Sequence, residues 1–83
     1  SIDRDRIPDC LQLYDQLRNK SIVLSREAKI TLTDGCIQSG HFERATEILS
    51  TLNDVQLLTK LLHSCIRAES PSIPKVLNLI FRI

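Results

Sequence analysis

The residue types in this chain with chemistry to offer are three cysteines, two histidines and a few serines and carboxylates. Cys10, Cys36 and Cys65 make an odd set without paired spacing, which argues against a disulfide framework. No Cys-x-x-Cys, no His-Glu-x-x-His and no glycine-rich phosphate loop occurs. All three cysteines fall in apolar-periodic segments. They read as small buried hydrophobes, and reduced thiols imply a reducing compartment. His41 and His63 have no cysteine or carboxylate at helical spacing to complete a metal site. His41 sits at a turn and His63 on a helix flank. Ser25 has no neighbouring base to activate it. Asp3 and Asp5 pair up near one end, where carboxylates are solvated. The expectation is a protein that is not an enzyme and uses no cofactor or metal.

Composition supports that expectation. Eighty-three residues make one domain or segment, 1–83. A chain of this size hides only roughly 60 % of its unfolded surface, which leaves little room for an enclosed active site. Eleven basic and ten acidic side chains give a net charge of +1. An autonomous nucleic-acid binder usually carries a stronger basic footprint. No apolar run approaches the roughly 18 residues that a membrane span needs.

The elements that must position any site are helices. Apolar residues recur at three and four through five segments, predicted over 7–19, 26–39, 42–52, 54–68 and 73–82. In the first, Cys10, Leu13, Tyr14 and Leu17 form the stripe behind Pro8, which suits a first helical turn. Ile22, Val23 and Leu24 read as a packed connector. Ser25 is a good N-cap, and Glu27 suits the positive end of the helix dipole. Gly40 stands where a helix ends in the left-handed conformation. The third segment follows after about two residues, so it must pack antiparallel to the second. Gly35 and Ala45 are small and suggest close backbone approach within that hairpin. Asn53 or Asp54 caps the fourth segment, whose stripe is Leu58, Leu61, Leu62, Cys65 and Ile66. The fifth is apolar to its end at Ile83, which would need covering, by further chain or by a neighbour.

An internal echo links two of these segments. Leu32, Cys36, Ile37 and Ser39 correspond to Leu61, Cys65, Ile66 and Ala68, at an offset of 29 residues. Periods of about 20–50 residues mark helical arrays. The predicted fold is therefore all-α, with about five helices stacked as antiparallel hairpins in a solenoid-like segment. A compact five-helix bundle is the alternative.

Several stretches carry a resemblance. Leu11-Gln12-Leu13-Tyr14-Asp15-Gln16-Leu17-Arg18-Asn19-Lys20-Ser21-Ile22, then Leu32-Thr33-Asp34-Gly35, Gly40 and Phe42-Glu43-Arg44-Ala45-Thr46-Glu47-Ile48-Leu49, resemble a pentatricopeptide repeat. The likeness covers about half the chain. The second copy departs, because only Asn53-Asp54 separates its first helix from the preceding one. Leu13-Tyr14-Asp15-Gln16-Leu17-Arg18, Leu24-Ser25 and Phe42 also resemble the small helical domain shared by the COPII outer-coat protein and the steroid receptor RNA activator protein.

The first resemblance implies RNA binding, a role in RNA metabolism and a mitochondrial location. A base-contacting position near the start of each first helix would fall on Ile30 and Thr59. Thr59 has the hydroxyl for a base edge and Ile30 does not. Lys29 and Lys60, next to them, would meet phosphates of single-stranded RNA, giving affinity without sequence information. The alternative is a cytoplasmic protein-interaction scaffold, gripping a protein partner through an apolar groove or the helix ends.

Overall fold

The computed structural model describes residues 4–82. Asp3 and Ile83 lie outside the described residues. A single 3-10 turn, Arg4–Arg6, leads into α1 (Ile7–Asn19), which is followed by α2 (Arg26–Gln38), α3 (Phe42–Leu49), α4 (Val55–Arg67) and α5 (Ile73–Phe81). The described residues contain five α-helices and no strand. α2 packs chiefly on α3 and α4 on α5, giving two hairpins, while α4 also lies against both α2 and α3. α1 packs on α2.

Local chemistry explains the boundaries. The Ser25 hydroxyl accepts a hydrogen bond from the Ala28 N–H at 3.2 Å, and the Asp54 carboxylate accepts one from the Leu57 N–H at 3.0 Å. Each satisfies a donor that the first helical turn leaves without a partner. Pro8 and Pro74 occupy the first turns of α1 and α5, where a missing N–H costs nothing. α3 ends at Leu49 rather than at 52. Thr51 and Leu52 donate to Ile48 and Leu49, three residues back, and tighten the chain into a turn. The other predicted ends differ from the observed ones by at most one residue, at the caps.

Three helices close in the same way. Ser21, Gly40 and Glu69 follow α1, α2 and α4 in the left-handed region, with φ of 59°, 81° and 52°. The next N–H in each case reaches back to the helix: Ile22 to Leu17, His41 to Cys36, Ser70 to Cys65. These are Schellman closures. Only one of the three uses glycine, although a side chain costs about 1–2 kcal/mol in this conformation. A Cβ at Gly40 would meet nothing within 4 Å, so its penalty is conformational alone. Gly40→Ala should therefore lower stability by about 1 kcal/mol, while Glu69→Gly should raise it by about 0.5 kcal/mol. Urea denaturation of the two variants checks the opposite signs.

The core runs through all five helices. Ile7, Cys36, Ile48, Leu61 and Val76, one from each helix, are fully buried. On α3, Phe42, Ala45, Ile48 and Leu49 all face the interior. Three expectations need correction. Ile22 and Val23 are 49 % and 78 % exposed, and only Leu24 of that connector packs on the core. The Schellman closure turns the connector outward before α2 begins. Leu13 is exposed because α1 buries Ile7, Leu11 and Tyr14, and Leu13 stands about 100° round the helix from Tyr14. Ile66 is exposed for the same reason beside buried Cys65.

Candidate binding surface

α2 and α4 lie side by side, and the three residues predicted to meet RNA sit on them. Lys29, in the first turn of α2, donates through Nζ to Thr51 Oγ1 at 3.1 Å. Thr51 in turn donates to the Ile48 carbonyl at 2.8 Å. Lys60 on α4 is ion-paired with Asp34 on α2. Thr59 is exposed, and its hydroxyl donates to the Val55 carbonyl one turn back at 2.9 Å. Ile30 is half-buried against the core. The polar groups proposed for RNA thus each have a partner within the chain, and Lys60 has its charge matched.

The structural trio of the first hairpin is placed as follows. Gly40 closes α2, and Ala45 is fully buried on α3. Gly35 is buried on α2.

Charge pairing also organises the second helices of the hairpins. Both guanidinium NH2 groups of Arg44 on α3 donate to the Asp15 carboxylate on α1, one of them at 3.1 Å. This bidentate bond holds the Asp15 carboxyl below its usual range. On the other side of α3, Lys75 of α5 donates to Glu43 at 2.8 Å and lowers that carboxyl in the same way. Arg44 Nε also lies 3.2 Å from Glu47 on its own helix.

Cys36 and Cys65 are fully buried. Burial pushes the Cys36 thiol up to about 11 and raises that of Cys65. A nucleophilic cysteine needs the opposite shift. His41 stands at the N-cap of α3, and His63 is exposed on α4. Among the described residues no three His, Cys, Asp or Glu side chains group to hold a metal. No helix of the described residues is long and apolar enough to cross a membrane.

The sequence pointed to an apolar fifth segment that needs covering, but not to the uncovered apolar face that α4 and α5 share on the second hairpin. Lys60 and Lys75 mark the sides of α4 and α5 that face the first hairpin. On the opposite side of α4, Val55, Leu62 and Ile66 recur at i, i+7 and i+11, which is one stripe of a helix. On α5, Ile73, Leu77 and Phe81 recur every four residues. Val55 and Ile66 are more than half exposed, and Phe81 is 83 % exposed.

The internal echo shows why this face is bare. Ile66 corresponds to Ile37 at the 29-residue offset, yet Ile37 is 4 % exposed and Ile66 55 %. Aligning α5 on α3 from their first residues matches Leu77 to Thr46 and Phe81 to Ser50. Thr46 and Ser50 line a cleft of about 290 Å³ that α5 helps to wall. The first hairpin is covered by the second, and within the described residues nothing covers the second. α4 and α5 contain no carboxylate at all. Comparison with family models, curated proteins and solved structures finds no match to this chain.

Proposed function

We propose that the chain is a non-catalytic helical-hairpin module that binds a protein partner. One observation carries this reading: Ile37 and Thr46 are buried on the first hairpin, while their counterparts Ile66 and Leu77 are exposed on the second. An apolar face of two parallel stripes is costly to leave in water, and contiguous exposed apolar surface is characteristic of interaction sites. Helix-in-groove recognition suits it, since such partners present anchors at three- and four-residue spacing. The test is a screen of amphipathic helical peptides against the 83-residue chain, followed by amide chemical-shift mapping. Binders that shift the amides of α4 and α5 and compete with one another support the reading. No binder at millimolar peptide, or binders that map to α1, would sink it.

Single-stranded RNA binding of the pentatricopeptide type, with the mitochondrial location that goes with it, is the second reading. The resemblance supports it, as do exposed Thr59 and a cleft of about 220 Å³ lined by Tyr14, Arg18 and Lys29. Weighing against it, Asp34 neutralises Lys60 and Ile30 lacks a hydrogen-bonding group. The protein-binding reading therefore expects no saturable association with single-stranded RNA at about 50 mM salt. Fluorescence anisotropy with a mixed-sequence oligonucleotide measures this. Tight binding that weakens steeply towards about 200 mM salt would instead establish the RNA reading.

A further inference from the structure

The cleft of about 220 Å³ between the end of α1 and the start of α2 shares no residue with the bare face of α4 and α5. Its chemistry is independent of the protein-binding reading. Tyr14 and Arg18, one turn apart on α1, form one side, and the connector 21–24 forms another. Lys29 of α2 and Thr51, just past α3, complete it.

These groups sort into a charged half and an apolar half. The Schellman closure at Ser21 turns Ile22 and Val23 outward, and there they wall the cleft. Opposite them stand two cations. The Arg18 guanidinium lies over the Tyr14 ring, 5.6 Å from its centre, an arrangement that leaves the in-plane N–H donors for a ligand. Lys29 donates to the Thr51 hydroxyl, which is neutral, so its charge is not cancelled and two of its three donors are to spare.

None of the described residues lining the cleft is an acid. The acids one turn before Arg18 and before Thr51, Asp15 and Glu47, both face Arg44. Asp54 lies 4.0 Å from Arg26. Glu27 stands about 200° round α2 from Lys29. An anion is therefore what the charged half lacks. A bare inorganic ion would leave the apolar wall unused. The volume also limits the occupant, because sites for drug-sized molecules run to about 300–1,000 Å³.

We infer that this cleft binds a small organic anion, with its charged head on Arg18 and Lys29 and an apolar body of about one side chain against Ile22 and Val23. A free organic acid and the carboxyl end of a peptide share this chemistry.

The experiment is amide chemical-shift titration of the 83-residue chain with N-acetyl-leucine, its amide, inorganic phosphate and adenosine monophosphate. N-acetyl-leucine should saturate at a Kd of about 1 mM, as suits a ligand of a dozen heavy atoms, with shifts confined to the end of α1, the connector and the start of α2. The amide should bind at least about tenfold more weakly, since it leaves both cations without a charge partner. Lys29→Met and Arg18→Leu should each weaken binding about fivefold or more. Val23→Glu should abolish it, and Val23 is 78 % exposed, so the melting temperature should hold. Lys60→Met removes the same charge from α4 and should change nothing. An acetylated tripeptide ending in leucine separates the two sources: binding as tight as N-acetyl-leucine assigns a chain end, and weaker binding a free acid. Equal binding of acid and amide, or no saturation by about 20 mM, overturns the inference. Equal shifts from inorganic phosphate would reduce the cleft to a patch of positive charge and overturn it too. Tighter binding of the nucleotide would make a nucleotide the occupant, with the same consequence.

Discussion

Ile48→Ala is expected to destabilise this protein by about 3–4 kcal/mol, the largest effect of any conservative truncation here. Ile48 is fully buried in the middle of α3. That helix meets α2, α4 and α5 directly and is tied to α1 through Arg44 and Asp15. A cavity at this point is lined from several directions, so collapse of one neighbour cannot fill it. Domains of this size have about 5–10 kcal/mol in total, so the variant would sit near the edge of folding. The melting temperature should fall by about 15–25 °C, at about 4–8 °C per kcal/mol for this length. Circular dichroism on heating and in urea measures both. Ile66→Ala, on an exposed stripe, should change stability by less than about 0.5 kcal/mol. A loss below about 1 kcal/mol for Ile48→Ala would mean that α3 is not the centre of the core.

The second large effect appears at alkaline pH. The Cys36 thiol has no exposed surface, and burial raises its pKa from 9.0 to about 11. Burial penalises the thiolate, so the folded state keeps its proton where the unfolded chain has released it. The sign follows directly. Below pH 9 the thiol is neutral in both states and stability does not depend on it. Between pH 9 and about 11 the unfolded chain binds fewer protons, so stability falls as pH rises. Keeping the thiol protonated to about pH 11 in the folded state costs about 2–3 kcal/mol of stability across that window. Cys36→Ala should show a shallower decline over the same window, by the same amount, although its stability at neutral pH is lower. Parallel urea titrations of the two proteins at several pH values isolate this slope, since every other ionisable group is common to both. Identical slopes would show that the thiol reaches water in the folded state.

Much of the fold was legible because helical periodicity is a local property. Ser25, Asp54, Pro8 and Gly40 acted where their chemistry allowed, and all five helices fell close to their expected places. Hairpin formation followed from short connectors. What the sequence could not show was which apolar residues lack a neighbour. Leu13 and Leu11 are identical in type, and only the packing of α1 decides that one is covered. The Schellman closures at Ser21 and Glu69 escaped notice because the cue expected there was glycine. The candidate surface was harder still. Thr59, Lys29 and Lys60 follow from family likeness, whereas the partners of their polar groups arise from chain segments up to 26 residues away. The bare face on α4 and α5 emerges only when equivalent positions in the two hairpins are compared for exposure.

The ion pairs on either side of α3 give the stack a direction. α3 shows a cation to α1 and an anion to α5, so the sequence of signs from α1 to α5 runs minus, plus, minus, plus. Exposed pairs of this kind add little to stability. Their effect is on orientation, because reversing the order of the layers would set like charges against each other. The alternation stops at Pro74, where an acid would have continued it. The molecule is thus a vectorial object with two unlike ends.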